Sequence, residues 1–315
     1  MSAENHIIAI GRSRYLYEGI KYLVSRGFSF KAIVTEEAYE EYDIKHGDFE
    51  TLASSIGARF FMIRSLNHEE LLGIIKEYGI KAAISVNWKY TIPKSFLDLF
   101  ECGILNFHLG NLPDYKGNAT VNWSIINGEK EIFGNIHKMD PELDAGDVVA
   151  RKSIPITEQT YISEVLHQAS KDVPLLYEEA LLKVTKNPAS FLVKGSLSGL
   201  RCYPRLPEDS QVNWNEPAQN ISRLVRASAE PYPGAFSFLN REKIVIWRAA
   251  VADYKEKFLA VPGHVIGIRK DTGFIQVACG HGILEIQEIG YKGVRTAPAE
   301  LIKSIRVRFK QELYA

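Results

Sequence analysis

Apolar positions in the first hundred residues fall into two alternating rhythms. Short, nearly continuous apolar runs predict buried strands at residues 6–10, 28–35, 59–63, 81–86 and 103–107. Between them, apolar residues recur at helical spacing over 15–25, 49–56 and 67–79, with Gly27, Gly57 and Gly79 as stop signals. Asn67, followed by Glu69 and Glu70, reads as an N-cap with acidic residues in the first turn. Helices lying between consecutive strands imply right-handed crossovers and a mostly parallel, Rossmann-like sheet. Such sheets bind ligands at the carboxyl ends of their strands.

After residue 117 the rhythm changes. Residues 118–127 predict a short helix stopped by Gly128. Strands are predicted at 132–139 and 148–156, on either side of a loop at 140–147, and a long amphipathic helix at 163–182. The periodic part ends at Lys186, Asn187 and Pro188, and the mixed stretch 189–205 predicts a linker. One more helix is predicted at 218–228. Strands at 235–239, 244–250, 263–268, 274–278 and 282–289, separated by glycine turns, then suggest a small barrel or sandwich. The predicted organisation is an α/β domain over residues 1–200, linker included, and a smaller β-rich, OB-like domain over 201–315.

Composition narrows the function classes. The 315 residues carry 38 basic and 38 acidic side chains, so the net charge is zero. A protein gripping nucleic acid over a wide surface needs a surplus of Lys and Arg. Apolar residues make up 46% and charged residues 24%, the balance of a globular enzyme. Cys102, Cys202 and Cys279 are odd in number and far apart, which excludes a disulfide framework and a Cys-x-x-Cys metal site. No apolar run approaches a membrane span, and the first residues show no basic leader or cleavage signal, so a cytoplasmic location is expected.

Three places hold candidate chemistry. The turn Gly11-Arg12-Ser13-Arg14 follows the first strand but has one glycine where a dinucleotide fingerprint needs three. It reads as an ordinary strand-to-helix turn, with an anion contact through Arg12 or Arg14 still open. Asn106 and His108 lie two apart on a strand, so their side chains share a face near its carboxyl end. A histidine among apolar residues is more often structural, but two polar residues on one face of a buried strand are not favoured there without a task. The loop 140–147 holds Asp140, Glu142, Asp144 and Asp147 without the spacing of a calcium loop. It is either a turn-rich connection or the source of a carboxylate for a histidine.

Asn106-x-His108 followed by Leu143-Asp144-x-Gly146 resembles the active site of formyltransferases that use 10-formyltetrahydrofolate. The loop Leu112-Pro-x-Tyr-x-Gly117, the run His137-x-Met139-Asp140, the stretch Trp214 to Ala218 and the segment Arg226 to Phe236 extend the resemblance over nearly the whole chain. The resemblance implies that Asn106 donates a hydrogen bond to the oxyanion of a tetrahedral intermediate. It implies that His108 supplies a second contact and a proton for the leaving nitrogen, and that Asp144 orients His108 and raises its pKa. No metal is implied. The formyl-folate co-substrate would lie between Tyr90, Thr91 and Ile92 on one side and Asp140, Glu142 and Leu143 on the other, with Asn118 nearby.

The acceptor is read from finer resemblance. The stretch 121–129, Pro207-Glu208-Asp209 and the run 278–285 are similar to the formyltransferase part of the bifunctional polymyxin-resistance protein. This implies an amino group on a UDP- or dTDP-linked deoxysugar, first of all a UDP-linked 4-amino sugar destined for a surface or flagellar glycan. Lys116, Arg205 and Arg226 are candidate phosphate partners, and Trp123, Tyr203 and Tyr232 candidate stacking surfaces. Methionyl-tRNA formyltransferase and a formyl-folate hydrolase are the alternatives. Zero net charge and an acidic stretch at 36–42, where the tRNA enzymes carry a basic insertion, count against the first. A homodimer remains open.

Overall fold

The computed structural model describes residues 6–37, 43–253 and 257–310; most of the acidic stretch, 38–42, lies outside the described residues. The chain divides into two compact units. The first runs to Gly117 and includes Ile132–Ile154 and His167–Cys202; the second takes Asn118–Glu131, Pro155–Leu166 and the chain from Tyr203.

The first unit opens with β1 (His6–Gly11), α1 (Arg14–Ser25), β2 (Ser29–Thr35), α2 (His46–Ile56), β3 (Arg59–Met62), α3 (Glu69–Glu77), β4 (Ala82–Val86), α4 (Lys94–Leu97) and β5 (Gly103–Leu109). These follow the predicted order, with α4 added and α3 starting after His68 rather than Asn67. Along the chain β6 (Lys116–Gly117), α5 (Thr120–Asn127), β7 (Glu131–Lys138), β8 (Val148–Pro155), α6 (Ile162–Lys186) and β9 (Arg201–Cys202) come next, α5 and the first turn of α6 belonging to the second unit. Among the described residues the main sheet has the order β3-β2-β1-β4-β5-β7-β8. The five strands β1 to β5 pair in parallel, and β7 runs antiparallel to β5. All five residues of β4 are buried, as expected of a strand covered on both faces. On α1, Leu16, Gly19, Ile20 and Leu23 turn inward at the helical period. The order of connection reverses between β1 and β4, which opens a crevice at their carboxyl ends.

The predicted linker is not a loose connection. Leu192 and Val193 pair with Val148, and β9 runs parallel to β6.

The second unit contains α7 (Ala218–Ser228), β10 (Ala235–Leu239), β11 (Glu242–Ala252), β12 (Val265–Ile268), β13 (Ile275–Ala278), β14 (Ile283–Tyr291), β15 (Val294–Thr296) and α8 (Pro298–Leu301). Its antiparallel sheet has the order β10-β11-β14-β13-β12, with β15 beside β14. The edge strands β10 and β12 are closed by one short segment. Phe238 exchanges backbone hydrogen bonds with Lys310, while Phe309 N–H donates to the Gly263 carbonyl and Val265 N–H to the Val307 carbonyl. This is a barrel rather than a sandwich, because the segment leaves neither edge unpaired. Phe309 fills its interior against Trp214, whose indole N–H donates to Ser237 Oγ.

Phe309→Ala is expected to destabilise the protein by about 3–5 kcal/mol. Denaturant unfolding checks this; a loss under about 1 kcal/mol would mean that Phe309 does not seal the barrel.

Candidate active site

Strand register assembles the first cluster. In the antiparallel pair of β5 and β7, Asn106 stands opposite His137 and His108 opposite Asn135. Beyond β5 the chain turns sharply, and Asn135 Nδ2 donates to the carbonyls of His108 (3.2 Å) and Gly110 (2.5 Å) to pin that turn. Glycine is required at 110, since a Cβ there would lie 2.5 Å from His108 Nε2 and 2.6 Å from the Tyr115 oxygen. The turn brings Tyr115 back, so that its carbonyl oxygen sits 2.8 Å from His108 Nε2. Gly117, at φ +92° and too close to the Cys202 carbonyl for any side chain, presents its N–H to Asp144 Oδ2 at 2.9 Å.

Asp144 therefore meets two imidazoles. Its Oδ2 is 3.5 Å from His108 Nδ1 and its Oδ1 is 3.5 Å from His137 Nε2. Asn106 Nδ2 lies 3.0 Å from the same His137 Nε2, and His137 Nδ1 faces the Lys138 carbonyl at 3.0 Å. A neutral His137 accepts the Asn106 hydrogen; a protonated one donates to Asp144 instead. Asn106 carries a second amide hydrogen.

The protonation states follow from burial and contact. Burial is the largest influence on Asp144 and pushes its carboxyl up. The contact with His137, electrostatic interaction with both imidazoles and the Gly117 N–H together outweigh it, and the group stays well below the usual carboxylate range. His108 goes the other way from the sequence expectation. Burial pushes its pKa down, with His137 adding to the effect; Asp144 and the Tyr115 carbonyl oppose it without reversing it. Both ring nitrogens face acceptors, and the nearer one places the hydrogen: the Tyr115 carbonyl is 2.8 Å from Nε2, whereas Asp144 Oδ2 is 3.5 Å from Nδ1. Neutral His108 thus turns the lone pair of Nδ1 towards Asp144.

A second cluster lies at the crevice between β1 and β4. Glu36, 3% exposed at the end of β2, sits 3.5 Å from Arg12 Nη1 and 3.0 Å from Lys89 Nζ. Ser13 precedes α1 at φ 83°, and its buried hydroxyl has no partner. No acidic residue stands in the first turn of α1. Two cations against one carboxylate at a helix N-terminus favour an anion. Arg12 was visible in the sequence as a weak candidate. Glu36, Lys89 and Ser13 were not, because three separate strand ends supply them; the signal available was the position just after a buried parallel strand. His137 was likewise legible as a motif residue, but its place opposite Asn106 depends on register.

The other predicted residues are distributed as follows. Tyr90 is half-buried with its ring edge against Trp88, Thr91 is exposed, and Ile92 packs into the core, which leaves only its backbone for a ligand. Asp140 and Glu142 are exposed, and the Glu142 N–H donates to Asp140 Oδ1 at 3.0 Å. Leu143 is exposed immediately before Asp144. A cavity of about 400 Å3 flanks this loop, lined by Met139, Asp140, Gly146, Lys194 and Leu197 among others. Asn118 is exposed in the second unit. Lys116 is not a surface phosphate partner: it is buried and donates to the Ser196 carbonyl. Arg226 is also buried, its guanidinium donating to the carbonyls of Thr157 and Thr160 at 3.1 and 2.8 Å beside Glu158. Within the second unit Arg205 lies 5.6 Å from the Trp123 ring, and the Trp123 indole donates to the exposed Tyr203's carbonyl. Tyr232 faces a pocket of about 580 Å3 with Pro231, Trp247 and Arg295.

Comparison with known proteins agrees with this architecture. The formyl transferase family matches residues 28–181, and the formyl transferase C-terminal domain matches residues 206–305. The chain belongs to the formyl transferase family. Among solved structures, HypX from Aquifex aeolicus in complex with tetrahydrofolic acid is 16% identical at a TM-score of 0.59, over 96% of this chain. The match spans 47% of that HypX chain, about half its length. An N-formyltransferase from Helicobacter canadensis, in complex with folinic acid and dTDP-3-aminofucose, is 15% identical at 0.64, covering 90% of this chain and 98% of that one. Methionyl-tRNA formyltransferase from Clostridium thermocellum is 20% identical at 0.54, covering 80% and 95%. These likenesses establish a shared fold. Among the described residues no helix is long and apolar enough to cross a membrane.

If Asp144 opposes burial at His108, Asp144→Asn will move the His108 titration to lower pH. NMR of the imidazole measures this, and an unchanged or higher titration would contradict the pairing.

Proposed function

We propose that this protein moves the formyl group of 10-formyltetrahydrofolate to the amine of a nucleotide-linked amino deoxysugar. The convergence of Asn106, His108 and Asp144 at the rim of the sheet carries this reading. The second Asn106 hydrogen would meet the formyl oxygen as charge develops on it. Neutral His108 offers Nδ1 as a base, so it takes the proton that the attacking amine must lose. The imidazolium so formed lies against the ionised Asp144, which stabilises it, and returns the proton to N10 of the departing tetrahydrofolate. The bond formed is carbon to amine nitrogen and the bond broken is carbon to N10, with the proton conserved through His108. The exposed Leu143, backbone of Tyr90 to Ile92 and the Asp140–Glu142 turn are the surfaces that would take the folate.

The acceptor class draws on the second cluster. Arg12, Lys89 and the N-terminus of α1 fit a phosphate, and their balance against Glu36 is local rather than spread over a wide basic surface. A nucleoside diphosphate supplies that charge in compact form. The Helicobacter canadensis protein, with its dTDP-3-aminofucose, supports the same class, with the UDP- and dTDP-linked 4-amino sugars as the first candidates here.

A screen of UDP-, dTDP- and GDP-linked amino sugars with 10-formyltetrahydrofolate is expected to show one acceptor gaining the mass of a formyl group. Formate release at full rate without any acceptor would favour a hydrolase, and formylation of methionyl-tRNA alone would favour the tRNA reaction. On the true acceptor, His108→Asn should lower turnover about a hundredfold or more. Lys89→Met should raise the sugar-nucleotide KM about tenfold, the loss of one charge-assisted contact, with the folate KM unchanged. Near-normal turnover in the first variant removes the proton role, and an unchanged KM in the second removes the phosphate contact.

A further inference from the structure

Two backbone groups hold the reactive pair: the Tyr115 carbonyl holds His108, and the Gly117 N–H holds Asp144. They flank a single residue, Lys116. Its side chain is 6% exposed and its ammonium donates to the Ser196 carbonyl. A buried ammonium is expensive to desolvate, and an apolar side chain would fill the same space without that penalty. The ammonium is therefore a directional tether.

The tether belongs to a larger brace. Lys116 N–H donates to the Leu200 carbonyl at 3.0 Å, and Leu200 N–H donates to Asp114 Oδ1 at 2.8 Å. Lys116 and Gly117 pair with Arg201 and Cys202. At the other end, Asp147 accepts from Gly195 N–H at 2.8 Å and from Lys194 Nζ at 2.9 Å. Residues 194–202 thus join the loop that carries Asp144 to the turn that carries Tyr115 and Gly117. Both ends need holding. Tyr115 has φ +53° and Asp144 φ +46°, left-handed conformations that residues other than glycine adopt at a cost.

We propose that Lys116 is a positioning residue, and that residues 194–202 form a brace through which it keeps His108 in a single tautomer and Asp144 against it. Without the tether the Tyr115 carbonyl turns away, Nε2 loses its acceptor, and the hydrogen divides between the two ring nitrogens. Molecules with the hydrogen on Nδ1 direct it at Asp144 and carry their lone pair on Nε2, away from the position that Asp144 stabilises. The titratable groups facing the His108 ring are Asp144 from its loop and His137 from β7; neither replaces a carbonyl at Nε2. The consequence for rate rests on the formyl-transfer reading above, whereas the consequence for the tautomer does not.

The test compares Lys116→Met and Lys116→Arg in the full chain. In ligand-free protein, the 15N NMR signature of His108 is expected to change from one tautomer to a mixture in Lys116→Met and to return in Lys116→Arg. With the acceptor identified, kcat should fall about tenfold or more, the range expected when a catalytic group is misplaced. Both KM values should stay within about twofold, since the Lys116 ammonium is buried against the Ser196 carbonyl. A parental signature in Lys116→Met overturns the proposal, as does a common fall in kcat and stability that Lys116→Arg does not relieve. If Lys116→Met does not fold, Asp114→Ala loosens the same brace from its exposed side, and a parental signature there is equally fatal. A tautomer change in a protein that formylates nothing would sink the function and leave the brace standing; formyl transfer with an unmoved tautomer would do the reverse.

Discussion

An ionised carboxylate shielded from water is tolerable only where charge and hydrogen bonds replace hydration. Asp144 meets that condition through three partners that come from three places: His108 on β5, His137 on β7 and the N–H of Gly117. Each partner is in turn constrained. The Tyr115 carbonyl orients one ring, Asn106 and the Lys138 carbonyl orient the other, and the pairing of β6 with β9 sets the Gly117 N–H. The arrangement around one negative charge therefore explains the sharp turn after β5, the glycines within it and the left-handed residues on both loops.

The same charge shapes the chemistry. Burial alone would leave His108 neutral and indifferent. In the proposed transfer, Asp144 beside Nδ1 would let the ring accept a proton without water to stabilise it, while Nε2 is already committed to a carbonyl. This is electrostatic preorganisation: the stabilising group is ionised and in place before the proton moves. The second cluster is likewise fixed in advance, with Arg12 and Lys89 arranged around the buried Glu36.

Fold and specificity are separate questions here. A parallel sheet with a reversed connection supplies a crevice, and a closed β-barrel supplies a stable second unit, but neither chooses an acceptor. Several side chains that looked available proved to be structural. Lys116 and Arg226 are long cationic chains turned inward to backbone carbonyls, a use that composition cannot distinguish from phosphate binding.

By itself the amino-acid sequence determined the alternation of strands and helices, the change to β structure in the second half, and the two motifs that supply Asn106, His108 and Asp144. These are local properties: periodicity, glycine stops and residues a few positions apart on one strand. Only the tertiary structure decided which groups meet. The antiparallel register of β5 and β7 placed His137 opposite Asn106. Burial lowered His108 where charge proximity alone predicted a rise. The stretch 189–205 became a brace rather than a linker, because its partners lie about 50 to 85 residues earlier in the chain. Contacts of that separation depend on how sheet and loops close on one another, and no local pattern encodes them.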